Sequence, residues 1–142
     1  MITLKRKDQW LSAYHDELEL IRRTPFSWKE HECASGLAAR VVTAVTGVDL
    51  ALPYAGRYQD AVSAYRTLRS TGFADLADFA ASVLPEYDHP VDAHIADIAA
   101  IPTHTPFRHV LGVFNGERIW VLTEGGLGSV DRAAAVRAFK VG

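Results

Sequence analysis

The hydrophobic period of this chain changes once, near residue 94, and that change fixes its fold class. Before it, apolar residues recur at helical spacing. After it they come in short runs separated by turn residues. Helices followed by a small antiparallel sheet define an α+β fold. The clearest local signal lies in the second part. Two β-rich runs, Val110 to Phe114 and Arg118 to Leu122, flank Asn115-Gly116. Asn-Gly is a favoured two-residue hairpin loop because both residues tolerate positive φ. Pairing across that loop sets Leu111 opposite Trp120 and His109 opposite Leu122. His109, Leu111, Val113, Arg118, Trp120 and Leu122 then share one sheet face. Val110, Gly112, Ile119 and Val121 share the other.

The helical part reads as four segments. Asp8 caps a first helix whose apolar residues are Trp10, Leu11, Tyr14, Leu18 and Ile21, ending near Arg23 ahead of Pro25. A second starts between Glu30 and Cys33 and stops at Gly47. Its Cys33, Leu37, Val41 and Val45 recur every four residues and share the face that should meet the sheet. After a loop from Val48 to Tyr58, a third spans Gln59 to Ser70 with Ala61, Val62, Tyr65 and Leu68 inward. A fourth runs from Asp75 to Leu84 and is closed by Pro85. Further strands are expected at Ile95 to Ile101, Gly128 to Val130 and Ala138 to Val141, with a short helical turn from Asp131 to Val136. The expectation is one domain over 1–142, helical over about 1–90 and sheet over about 91–142.

Composition narrows the function classes. The 142 residues are 49% hydrophobic and 23% charged, which excludes disorder and leaves enough apolar material for a core. The net charge of -2 gives no basic excess, so no nucleic-acid partner is expected. Lys5-Arg6-Lys7 reads as a solvated edge. A single cysteine excludes an internal disulfide and a cysteine-based zinc cage. No apolar run is long enough for a membrane span, and the N-terminal residues form no signal-peptide core, so synthesis in a cytoplasm without a cleavable export signal is expected.

Two residues stand out for chemistry. Cys33 lies at a helix N-terminus, where the helix dipole favours thiolate, on the face that a sheet would cover. The same position suits a small buried hydrophobe. His109 opens the first hairpin strand, as the base of a Cys/His hydrolase or as a strand-end histidine at the surface. His31 and Glu32 either orient the thiol or satisfy free amides in the first helical turn. His89, Asp92, His94, Asp97 and His104 match no metal-ligand spacing, so neither metal nor cofactor is expected.

These residues carry a resemblance. Phe26-Ser27-Trp28-Lys29-Glu30-His31-Glu32-Cys33 resembles the opening of a phage and prophage family that is similar to the NlpC-type papain-like cysteine peptidases, several of them tail-associated cell-wall peptidases. Glu32-Cys33-Ala34-Ser35-Gly36-Leu37 resembles their Asp-Cys-Ser-Gly-Leu helix start. Ala96-Asp97-Ile98 resembles their Gly-Asp-Ile, and His109-Val110-Leu111-Gly112-Val113-Phe114-Asn115-Gly116 their histidine strand. Gly126-Leu127-Gly128, Arg137 to Val141, and the helix pair from Tyr58 to Leu84 are similar too, so the resemblance covers nearly the whole chain. It implies a papain-like fold with Cys33 as nucleophile and His109 as base. Four departures bear on activity. Glu32 stands for Asp, Ala96 for Gly, and His109 precedes Gly112 by three residues where the family has two. The orienting third residue falls near Trp120 or Val121, neither of which accepts a hydrogen bond from imidazole.

Two functions are therefore expected. The first is a phage or phage-derived tail component, at the tail tip or in tail assembly, on a peptidase-like scaffold with catalysis weak or absent. Its partners would be hub, fibre or other tail-tip proteins and its location the virion or a phage-like particle. The alternative is an active cysteine peptidase cleaving peptidoglycan stem peptides during wall penetration. The two differ in whether a base and a third polar group line the Cys33 face. An unrelated bacterial α+β module is the remaining reading.

Overall fold

A computed structural model describes residues 3–28 and 31–142. It is α+β, with four α-helices and a five-stranded antiparallel sheet among the described residues. Helix α1 spans Trp10–Arg23. A π-helical stretch, Cys33–Ala38, runs on into α2 (Ala39–Thr46), and α3 (Ala61–Ser70) and α4 (Leu76–Val83) follow. The strands are β1 (Ile98–Pro102), β2 (His109–Asn115), β3 (Arg118–Thr123), β4 (Gly126–Asp131) and β5 (Arg137–Phe139), in the spatial order β4-β3-β2-β1-β5.

The π stretch and α2 carry the central packing. Leu37, Val41 and Val45 are fully buried with Tyr14, Ile21, Ile98 and Val113, and Cys33 packs at the margin of the same cluster. The Cys33-bearing segment thus lies on one sheet face, as the four-residue spacing predicts. Gly36 is fixed by crowding, since a Cβ there would lie 2.5 Å from the Cα of His31. On the other face Phe114, Ile119, Ala99 and Ala138 form a second cluster. The Arg132 guanidinium stacks 4.7 Å from the Phe114 ring and donates to the carbonyls of Gly116, Pro90 and Ala93.

Several expectations are corrected. Asp8 does not cap α1; Gln9 occupies that position at φ 64 with no side-chain cap. Leu11 is 44% exposed, so the buried stripe is Tyr14, Leu18 and Ile21. The starting point at Glu30, like Lys29, lies outside the described residues. Helix α3 begins after Asp60, whose carboxylate accepts from the Ser63 amide in a capping box, and it buries Ala64 and Leu68 while Val62 is 60% exposed. Arg6 is no solvated residue. It donates to the carbonyls of Val141 and Ile95, pairs with Asp97 at 3.0 Å and lies over the Trp10 ring.

The hairpin also turns one step later than expected. Asn115 pairs with Arg118, the loop is Gly116-Glu117, and Trp120 lies opposite Val113 rather than Leu111. Gly116 has φ 74 at the first loop position, where glycine suits a type II′ turn. The slip is of two residues in pairing, so the division of side chains between the faces is unchanged. Asn115 stays in the ladder because its side chain accepts a 2.8 Å hydrogen bond from the buried Tyr14 hydroxyl.

Strand β1 starts at Ile98 because His94 to Asp97 form a turn with Ala96 at φ 74. A left-handed conformation costs a non-glycine residue about 1–2 kcal/mol. Ala96→Gly removes that cost and adds some unfolded-state entropy. It also removes a methyl that is fully buried in the core, worth about 1 kcal/mol. Relief and loss nearly cancel, so the variant should melt within about 3 °C of native by calorimetry, and a fall of more than about 5 °C would refute the strain.

Candidate functional site

Cys33 and His109 line one cavity of about 270 Å³ between the π stretch, α3, α4 and the start of β2. Each is delivered by a different part of the fold. Cys33 opens the π stretch, and Glu32 caps that stretch by accepting from the amides of Ala34 and Ser35, each at 2.7 Å. The Glu32 carboxylate also accepts from the hydroxyls of Ser35 and, at 2.6 Å, Tyr58. Of the two roles open to Glu32, satisfying free amides is the one its geometry serves. Both ring nitrogens of His31 meet partners other than the thiol. Its Nε2 lies 3.3 Å from the Ile21 carbonyl and its Nδ1 3.5 Å from the Arg40 guanidinium.

The thiol is held in its neutral form. Burial pushes its pKa up to about 12, and the Glu32 charge adds to the effect. The amides of Leu111, Cys33 and Ala34 pull weakly the other way. Burial thus opposes the dipole-activated thiolate expected at a helix N-terminus. Glu32→Gln removes the charge and keeps one capping acceptor. The alkylation profile of Cys33 with iodoacetamide should shift to lower pH yet stay above the ordinary cysteine range, because burial remains. An unmoved profile would show that the carboxylate does not act on the sulfur.

His109 is paired with a residue that the sequence pattern left out. Its Nδ1 lies 2.8 Å from Oδ1 of Asp75, and both side chains are largely buried. Asp75 is the N-cap of α4, where the same oxygen accepts from the Ala77 amide at 2.8 Å. Burial pushes the Asp75 carboxyl up, but the hydrogen bonds from His109 and Ala77 outweigh it and hold the group below the usual carboxylate range. With Nδ1–H donating to the carboxylate, Nε2 is left as an acceptor. His109 and Leu111 are two residues apart on one strand face, so His109 stands about 6.6 Å along the strand from Leu111, whose amide acts on the sulfur. Trp120 and Val121, where a third residue was expected, lie outside this cavity lining.

A family model described as Domain of unknown function (DUF6950) matches residues 5–141. The chain belongs to that family. No curated protein and no solved structure matches it. The DUF6950 match thus takes in Cys33, Asp75 and His109 together, along with the whole sheet.

Of the remaining candidates, Asp97 serves the fold. Asp97 is fully buried and accepts from Arg6, the Tyr87 hydroxyl and the amides of His94 and Val141, tying both chain ends to β1. Among the described residues no group of three or more His, Cys, Asp or Glu could hold a metal, and no helix is long and apolar enough to cross a membrane.

Proposed function

We propose that this DUF6950 chain is a papain-like, NlpC-type cysteine hydrolase with Cys33 as nucleophile, His109 as general base and Asp75 as the residue that orients it. The observation that carries the reading is the 2.8 Å bond between Asp75 and His109 at a cavity that Cys33 also lines. Because the thiol rests protonated, proton removal accompanies attack. Sγ bonds to the substrate carbonyl carbon while His109 Nε2 takes the thiol proton. The bond to the leaving amine or alkoxide breaks, and His109 returns the proton to it. Water, deprotonated by His109, then hydrolyses the thioester, freeing a carboxylic acid and restoring the thiol. The setting proposed is a phage or phage-derived tail, among hub or fibre proteins, and rests on the motif order from Phe26 to Val141.

The reaction is tested with 4-nitrophenyl acetate. Mass spectrometry should find an acetyl group on Cys33. Cys33→Ala should abolish turnover, and His109→Ala should lower it about 10²–10⁴-fold. The tail setting is tested by stoichiometric recovery of the chain in purified particles.

A second reading, a catalytically silent tail scaffold, is favoured by the thiol itself. Burial and the neighbouring Glu32 charge both disfavour the thiolate that a nucleophile needs at neutral pH. Equal acetylation of the native chain and His109→Ala would select it.

A further inference from the structure

The cavity beside Cys33 is chemically one-sided. Its buried lining includes Val42, Leu68, Ala80, Leu84 and Ile98, and its partly buried wall includes Trp28 and Phe107, stacked with ring centroids 5.8 Å apart. Among the described residues the lining contains no lysine and no arginine. Its acidic members are Glu32 and Glu124, and the Glu32 oxygens are already engaged by two amides and two hydroxyls. Among the described residues an anionic ligand would meet two carboxylates there, and the imidazole of His109, which could carry positive charge, is already paired with Asp75, so little offsets the desolvation cost. Peptidoglycan stem peptides, the substrate that the resemblance implies, bear free carboxylates. Small side chains at Ala38, Ala39 and Ala80 leave width for a chain running inward from the sulfur.

We infer that this cavity takes an uncharged, apolar acyl chain, with the ester or amide carbonyl at Cys33 and the chain lying between α3 and α4 on one side and β1 on the other. The inference rests on the hydrolase reading for its chemistry and on the lining for its ligand class. The acyl carbon bonds to Sγ and the alcohol or amine departs with the proton from His109, as above. Each methylene moved from water into the cavity should tighten binding about fourfold.

The test separates the two. Butanamide, hexanamide and octanamide are titrated calorimetrically into Cys33→Ala, which binds without reacting, alongside the dipeptide L-alanyl-γ-D-glutamate. Affinity should rise about fourfold per methylene, and the dipeptide should bind more weakly than butanamide. Ala80→Leu should weaken octanamide at least tenfold; Leu68→Phe on α3 reads the same cavity where Ala80→Leu does not fold. In parallel, 4-nitrophenyl butyrate, hexanoate and octanoate are offered to the native chain, where kcat/KM should follow the same slope. A flat amide series, or tighter binding of the dipeptide, overturns the ligand class even where Cys33 is acylated. A rising amide series with no acylation of the native chain overturns the hydrolase reading and leaves the ligand class standing.

Discussion

Val41→Asp is expected to abolish the cooperative melting transition. Val41 is on α2, fully buried, and in the cluster that joins the helices to the sheet. An aspartate there must either remain charged without a partner or take up a proton, and each option costs several kcal/mol. That cost compares with a total stability of about 5–15 kcal/mol for a domain. Val41→Ala, which only removes methyl groups, should cost about 2 kcal/mol and keep the transition. Val62→Asp serves as the opposite control. Val62 is 60% exposed on α3, so the same charge should change stability by less than about 0.5 kcal/mol. A circular-dichroism melt unchanged in Val41→Asp, or lost in Val62→Asp, would refute the packing of the Cys33 segment on the sheet.

The contrast between Val41 and Val62 shows which parts of the fold can be read from sequence. Val41 belongs to an uninterrupted four-residue row ending at a glycine, and such a row has one way to be buried. The third helix is polar around most of its circumference, so its inward face depended on which neighbours it meets. Those turned out to favour Ala64 and Leu68. The hairpin gives a similar lesson. Asn-Gly chemistry located the turn, while the buried Tyr14 hydroxyl, 101 residues away in sequence, claimed Asn115 for the ladder and moved the loop forward. Local preference is readable; the long-range partner that overrides it is not.

The site divides along the same line. Cys33 and His109 stand out as residue types in positions where chemistry is plausible. Asp75 does not, because an aspartate before an apolar helical run already has an explanation as a helix cap. It is that cap, accepting from Ala77, and its oxygen serves His109 as well. The strand that follows β2 offers Trp120 and Val121 in place of the acceptor expected there, and the carboxylate that meets His109 is at the start of α4 instead. The one signal within reach was the Gly72-Phe73-Ala74-Asp75-Leu76 stretch, where a turn places Asp75 just ahead of the fourth helix.

Asp75→Asn is therefore expected to cost activity far more than stability. Asparagine keeps a side-chain oxygen for the Ala77 amide and is an equally good N-cap, so the melting temperature at neutral pH should fall by only a few degrees. Its uncharged amide no longer fixes Nδ1–H of His109 or stabilises the imidazolium formed when the thiol proton moves. In Ser-His-Asp enzymes the corresponding change lowers kcat by about 10⁴. A loss of at least about 10²-fold in kcat/KM toward 4-nitrophenyl esters is expected here, with Cys33 still present and the fold intact. The variant should also differ in acid. The carboxyl of Asp75 is held below its ordinary value in the folded chain. It therefore contributes stability that is present above the unfolded pKa of about 4 and is lost as pH falls through the folded value. Asp75→Asn lacks that contribution, so the stability gap between native and variant should close as the pH drops into that window. A structural cap alone would predict equal kcat/KM in the two proteins. Rates within threefold of each other would remove Asp75, and with it the oriented base, from the site.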